Sequence, residues 1–374
     1  MRLYIHIPFC RRKCSYCDFY FSVRLEHQTD FFDALKKEIQ ERQNEWRAHS
    51  IKSIYFGGGT PSLPDPRHIE KIIHYIYKHT RIDPGAEITL EANPEDLTPE
   101  KPAAWKSAGI NRLSIGIQSF REKDLLLLNR QHTPEIIEKG LNNVTKAGFE
   151  NLTGDLIYGI PGLGLKDWEN NIRKILSFGF NHLSAYALTV EKNTLLEYQI
   201  RQGKIRMPDD EDFLEQFNML REILKENGFE HYEISNWAKP GFQAAHNTAY
   251  WRGEAYAGFG PAAHSYDGLN RRRHNVANIH YYIRNIREGK PYFETEILHD
   301  RDRYNEYVLT RLRLLQEGIP GEEIKRLFPR FYTHFRKQAE ELLDTGQLIC
   351  ENHRWKIHRD AVFLADTIIS ALMF

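Results

Sequence analysis

The sequence predicts an α/β protein: a partial (β/α) barrel followed by a helical, winged-helix-like module. Three observations predict it. Short β-like runs alternate with amphipathic helices over the first two-thirds of the 374 residues, glycine or polar residues recur where those runs end, and the alternation stops near residue 285. Repeated β-α units imply parallel strands joined by right-handed crossovers. In such a barrel the carboxyl ends of the strands carry the active site.

Arg2–Ile7 reads as the first strand, with Leu3, Ile5 and Ile7 on one face and Tyr4 and His6 on the other. A helix is expected over Asp30–Trp46 after a Thr29/Asp30 capping signal, and Ser53–Phe56 is the next strand, ending in Gly57-Gly58-Gly59. Ile69, Ile72, Ile73, Ile76 and Tyr77 recur at helical spacing. Further strands are expected at Glu87–Glu91, Arg112–Ile117, Leu152–Tyr158, His182–Leu188 and Glu230–Ser235. Helices are expected at Pro99–Ala108, Pro134–Ala147, Lys166–Ser177 and Glu211–Asn227. Glu91, Gln118 and Asp155 join the glycines at or near strand carboxyl ends. Beyond residue 285, Arg301–Gln316, Gly321–Phe328 and Phe331–Thr345 read as helices, Leu348–Glu351 and Arg354–His358 as a hairpin, and Asp360–Phe374 as a last helix. The expected division is therefore a barrel over 1–285 and a module over 286–374.

Composition excludes several function classes. Lys+Arg 51 against Asp+Glu 51 gives no net charge and no global pull toward nucleic acid or anionic lipid. Residues 293–374 hold 12 Lys+Arg and 14 Asp+Glu, so the winged-helix-like module lacks the basic face that DNA requires and no nucleic-acid partner is expected. No apolar run approaches the length of a membrane span, and the short apolar stretch of MRLYIHIPFC lacks a signal-peptide cleavage pattern. The expected location is cytoplasmic.

Four cysteines are too few for a disulfide scaffold, yet Cys10, Cys14 and Cys17 fall within eight positions. Sparse clustered cysteines indicate a metal site. Structural zinc wants four protein ligands and usually two knuckles, and there is no second knuckle. Three thiolates on a four-iron cluster leave one iron open to a small molecule.

The Cys-x3-Cys-x2-Cys spacing resembles the signature of radical S-adenosylmethionine (SAM) proteins. The resemblance implies a 4Fe-4S cluster on Cys10, Cys14 and Cys17, with SAM chelated at the open iron and cleaved to a deoxyadenosyl radical, chemistry that belongs to the cofactor. Gly57-Gly58-Gly59-Thr60-Pro61 is similar to the family's glycine-rich segment, where Gly58, Gly59 and Thr60 let backbone approach SAM. Carried over residue by residue, Glu91, Gln118, Arg130 and Asp155 are implied SAM contacts, with Tyr4, and with Tyr16 and Ala187 through backbone.

The opening Tyr4-Ile5-His6-Ile7-Pro8-Phe9-Cys10 and Asp155-Leu156-Ile157-Tyr158-Gly159-Ile160-Pro161-Gly162 resemble oxygen-independent coproporphyrinogen III oxidase and its relatives, over nearly the whole chain. Two departures matter. Phe19 stands where the oxidase has a fourth cysteine, and this chain begins at the first strand where the oxidase has an N-terminal extension. His246-Asn247-Thr248-Ala249-Tyr250-Trp251 instead matches the HNxxYW motif of the HemW group of haem chaperones, and Gly258–Ser265 resembles that group as well. A histidine can ligate haem iron, and Tyr and Trp offer flat apolar faces to a porphyrin. The resemblance implies haem as bound cargo near His246, Asn247, Tyr250, Trp251 and His264. It also implies haem delivery to respiratory haemoproteins at the inner face of the membrane, with a homodimer a reasonable arrangement. The competing activity is oxidative decarboxylation of coproporphyrinogen III. Arg11-Arg12-Lys13 and Arg271-Arg272-Arg273-His274 read as solvated charge runs, with reductant docking and propionate binding as their respective alternatives.

Overall fold

The computed structural model describes residues 1–374. Six strands, β1 (Arg2–Ile7), β2 (Ile51–Gly58), β3 (Ile82–Ala92), β4 (Arg112–Gln118), β5 (Asn151–Tyr158) and β6 (His182–Ala187), run parallel in sequence order. The crossover helices begin where the sequence supplies caps. Asp65 accepts the Arg67 N–H ahead of Pro66–His79, and Thr133 does the same for Ile136 ahead of Pro134–Lys146. Leu3, Ile5 and Ile7 of β1 are buried in the hydrophobic core with Phe31, Leu35 and Tyr282 of flanking helices. That packing turns Tyr4 and His6 to the barrel interior.

The parallel sheet is extended at both ends by strands that sequence patterning describes poorly. The expected strand Glu230–Ser235 is instead half of a tight antiparallel hairpin, β7 (Glu230–Glu233) and β8 (Asn236–Ala238), whose β8 pairs with β6. At the other end β9 (Tyr256–Phe259) lies parallel to β1. It begins an antiparallel run through β10 (His264–Tyr266), β11 (Arg271–Asn275) and β12 (Phe293–Ile297). The result is one twelve-stranded sheet, ordered β12-β11-β10-β9-β1-β2-β3-β4-β5-β6-β8-β7.

The helix expected over Asp30–Trp46 starts earlier, at Gln28, so the Thr29/Asp30 cap is not used. It breaks at Arg42, whose side chain is drawn into a buried network with Glu38, Glu45, Ser265 and the Gly258 carbonyl. Helices Asp300–Arg313, Gly321–Leu327 and Tyr332–Asp344 follow, with a small sheet of β13 (Ile319–Pro320), β14 (Leu348–Glu351) and β15 (Arg354–Ile357). Asn352 and His353 both take positive φ, 50° and 61°, which closes the β14–β15 hairpin as a two-residue turn. The expected last helix divides into a 3-10 turn, Arg359–Leu364, and a helix, Ala365–Leu372.

Candidate active site

A cavity of about 1090 Å³ opens at the carboxyl ends of the parallel strands. Its wall holds Cys10, Cys14 and Cys17, Gly58–Thr60, Glu91, Gln118, Arg130, Asp155 and Ala187, with Tyr4 and Tyr16. That volume lies at the upper end of small-molecule sites.

The cysteine loop is held by its neighbours. Gly59 and Thr60 donate backbone N–H to the carbonyls of Ile7 (2.9 Å) and Phe9 (2.7 Å), drawing the glycine segment against the loop. A Cβ at Gly59 would stand 2.8 Å from the Phe9 carbonyl oxygen, so this approach requires glycine. Thr60 Oγ1 lies 3.4 Å from Cys10 Sγ, and Arg130 Nη1 lies 3.5 Å from Cys14 Sγ. Burial pushes the Cys10 thiol up to about 12, and the neighbouring Cys14 and Cys17 add to that while Thr60 opposes it. No group of three His, Cys, Asp or Glu side chains converges on a single metal-ion position. The three thiols line one wall instead, a donor set that fits a thiolate-held cluster.

Arg130 is fixed beside this wall. Its Nη2 donates to Asn93 Oδ1 (2.7 Å) and to the Gly116 carbonyl (2.8 Å). The β4–β5 register slips between Gly116 and Gln118, and Gln118 takes a left-handed φ of 67° although buried. Such backbone in a non-glycine residue is costly and concentrates at functional sites. Glu91 accepts from Tyr55 OH (2.8 Å) and the Gly58 N–H (3.2 Å). Burial pushes its carboxyl up to about 7 against the Tyr55 hydrogen bond, and the like charge of Asp155 adds to the rise. Burial likewise raises Asp155 to about 6, although hydroxyls of Ser184 and Ser114 and two arginines oppose it. Two recessed carboxylates above a polar barrel interior are suited to accept hydrogen bonds from ligand hydroxyls.

The HNxxYW residues form the helix Ala245–Trp251 across the barrel floor. Asn247, Tyr250 and Trp251 reach the cavity; His246 does not. The expectation that His246 faces a porphyrin is corrected by its surroundings. It is fully buried, with Nδ1 2.8 Å from Ser53 Oγ and Nε2 2.8 Å from Tyr250 OH, so both ring nitrogens are engaged within the fold. Burial pushes its pKa down to about 3, which keeps the ring neutral. Its role in the structure is to hold Tyr250. His264 is exposed on β10, 5.6 Å from the His274 ring on the next strand, and outside the cavity wall. The run Arg271–His274 is β11, where Arg272 pairs with Glu306 and Arg273 stacks over Phe293. Trp251 lies under the Arg313 guanidinium at 4.6 Å, and its Nε1 has no hydrogen-bond partner.

Comparison with known proteins agrees with this geometry. Residues 4–175 match the radical SAM superfamily. The chain is 32% identical to the haem chaperone HemW of Lactococcus lactis over 356 residues, covering 95% of this chain and 92% of that one. It is 33% identical to the haem chaperone HemW of Mycobacterium tuberculosis over 381 residues, covering 99% and 94%. The chain belongs to the HemW family of the radical SAM superfamily. Among solved structures, coproporphyrinogen III oxidase of Escherichia coli superposes with a TM-score of 0.84 at 21% identity, covering 99% of this chain and 89% of that one. That likeness concerns the fold.

In this HemW-family chain several cavity residues escape sequence reasoning. Tyr55, Ser114 and Tyr186 lie on strands and face the barrel interior, and Asn93 follows β3. A polar residue alternating with apolar ones along β2, β4 and β6 is the signal that marks the first three. Arg313, Phe363 and Asp366, from the C-terminal segment, line the same cavity, and no local pattern announces that long-range placement.

Proposed function

We propose that this protein holds a 4Fe-4S cluster on Cys10, Cys14 and Cys17, binds SAM beside it, and carries haem for delivery to respiratory haemoproteins. The observation that supports the reading best is that one cavity joins the three cysteines to Asn247, Tyr250 and Trp251. In this reading Arg130 pairs with the SAM carboxylate, Gln118 meets its polar atoms, and Glu91 and Asp155 accept from ribose hydroxyls. Thr60 and the glycines leave room for its amino acid portion. When bound, the cluster and SAM supply one-electron chemistry, and the protein's part is to orient them and exclude water. Trp251 and Tyr250 give the cargo an apolar face, and the segment beyond residue 286 acts as a module that walls the cavity. No helix is long and apolar enough to cross a membrane, so delivery at the membrane's inner face takes place from its surface, by a monomer or a homodimer.

The competing reading, decarboxylation of coproporphyrinogen III, fits the charges less well. That substrate brings four carboxylates. The wall offers Arg11, Arg12, Arg130 and Arg313 against Asp18, Glu91, Glu95, Asp155, Glu191 and Asp366. Arg11 and Arg313 are already paired with Asp96 and Glu233, and Arg130 serves the SAM carboxylate, which leaves Arg12 alone for the substrate. Anaerobic reconstitution followed by iron, sulfide, SAM and haem stoichiometry tests the proposal. Wild-type protein should bind all of them, and Cys14→Ala should lose the cluster absorbance. Iron and sulfide retained by that variant would remove the ligand assignment.

A further inference from the structure

The cavity that joins the cysteines to Trp251 offers a haem iron few ligands. Haem proteins hold iron with histidine, cysteine, methionine or tyrosine. No histidine and no methionine lines this wall, and the three cysteines belong to the cluster in the reading above. Phenol is what remains: Tyr4, Tyr16, Tyr55, Tyr158, Tyr186 and Tyr250 all reach the cavity.

All but one of these phenols are already engaged. Tyr4 OH lies 3.1 Å from His6 Nδ1, Tyr55 OH donates to Glu91 at 2.8 Å, and Tyr250 OH lies 2.8 Å from His246 Nε2. Tyr158 is buried, its ring packed among Trp168, Phe213 and Phe217. Tyr16 stands between Cys14 and Cys17, where the cluster has to sit. Tyr186 differs. It lies opposite Ile157 near the carboxyl end of β6, two residues beyond Ser184, which lies opposite Asp155. Strand alternation turns it inward with Asp155, and 46% of it is open to the cavity. Its hydroxyl has the Ser184 hydroxyl as its hydrogen-bonding neighbour. Tyr186 and Asn247 also line one small recess behind the cavity, so this phenol adjoins the HNxxYW helix.

The charges around Tyr186 select the oxidation state of the iron. Burial keeps the phenol protonated, and the carboxylates of Asp155, Glu233 and Glu91 act in the same direction. A phenolate there needs a cation against its oxygen. The core of ferric haem carries a positive charge and that of ferrous haem carries none. Ferric iron therefore cancels the phenolate, whereas ferrous iron would leave it as an added negative charge among carboxylates, which is costly.

We propose that Tyr186 is the axial ligand of ferric haem in this cavity, an inference that rests on the haem reading above. The Fe–O bond forms as a water leaves the iron and the phenol O–H breaks. The proton passes through the Ser184 hydroxyl, itself bonded to Asp155, onto that carboxylate, and no electron moves. Titration of the anaerobically reconstituted protein with ferric haem, beside titration with metal-free protoporphyrin IX, tests this, because the second probe has the ring without the iron. Tyr186→Phe should lower affinity for ferric haem about tenfold and remove the phenolate–iron vibration from the resonance Raman spectrum, with protoporphyrin IX bound as in wild type. Tyr186→His offers iron another ligand at the same place and should regain ferric affinity with a shifted Soret band. In wild type, ferrous haem made with dithionite should bind about tenfold more weakly than ferric, and in Tyr186→Phe the two should bind alike. A Tyr186→Phe protein with the wild-type haem spectrum and affinity overturns the proposal. So does a loss of protoporphyrin IX binding equal to the loss of haem, which marks the ring as packing only, and so does a wild type that prefers ferrous haem. A wild type that binds neither porphyrin removes the haem reading and this assignment together, whereas ferric haem bound with a histidine or thiolate spectrum removes this assignment alone.

Discussion

Glu87 caps the helix that carries the HNxxYW residues: its two carboxylate oxygens accept the backbone N–H groups of Ala245 and His246, each at 2.9 Å. A strand of the barrel thereby fixes the floor of the cavity. The Arg112 guanidinium lies 3.6 Å from the same carboxylate. Glu87→Ala leaves the buried His246 N–H, the partly exposed Ala245 N–H and the buried Arg112 guanidinium without this carboxylate, and should cost about 2–4 kcal/mol in chemical denaturation. Glu87→Gln should recover part of that, since its amide oxygen still accepts one N–H.

The cavity wall ranks the haem-motif residues differently from the motif's own spelling. Trp251→Ala removes a ring from the wall and should weaken haem binding about tenfold, the worth of a well-placed aromatic face. His264→Ala, outside the wall, should leave haem affinity unchanged. Absorbance titrations of the two variants check the order, and a larger loss in His264→Ala contradicts it.

His246→Ala should act first on stability. It removes the partner of both Ser53 Oγ and Tyr250 OH from a fully buried position. A loss of about 2–4 kcal/mol is expected, combining a cavity with unpaired hydroxyls. Thermal unfolding without haem reads this, and an unchanged melting temperature contradicts the buried role.

Glu91 makes stability depend on pH in a definite sense. Its carboxyl rises from the usual 4.5 to about 7 on burial, so between those values the folded chain binds more protons than the unfolded one. Stability then falls as pH rises through that window, and the full cost is reached above it. Asp155, raised to about 6, acts in the same sense. Glu91→Gln mimics the protonated form. It should match wild type near pH 5 and exceed it by about 1–3 kcal/mol at pH 8. Denaturation of both proteins across that range checks the sign.

Arg130→Lys keeps the charge but cannot bond Asn93, Gly116 and a ligand carboxylate together through one planar fork. SAM affinity of the reconstituted protein should fall about tenfold, while the iron content stays at the wild-type level.

The sequence made the cavity face legible because its signals are local. Three cysteines within eight positions, a glycine run after a strand, and polar residues at successive strand ends all lie in contiguous text. The cavity brings them together because parallel strands point their carboxyl ends the same way. What escaped depends on distant partners. β11 reads Arg271-Arg272-Arg273-His274-Asn275, with no apolar alternation, and is a strand only because β10 and β12 pair with it. His246 stood among the haem residues through the HNxxYW resemblance alone, and the partner that fixes its buried place, Ser53, lies 193 positions away. Phe363 and Asp366 reach the cavity from the far end of the chain for the same reason.

The most direct test of haem carriage is a paired measurement on one anaerobically reconstituted preparation: haem titration by absorbance beside a coproporphyrinogen III turnover assay. Stoichiometric haem binding, passed on to an added apo-haemoprotein without protoporphyrinogen formation, is the predicted result. Sustained protoporphyrinogen formation with no stoichiometric haem binding would contradict it.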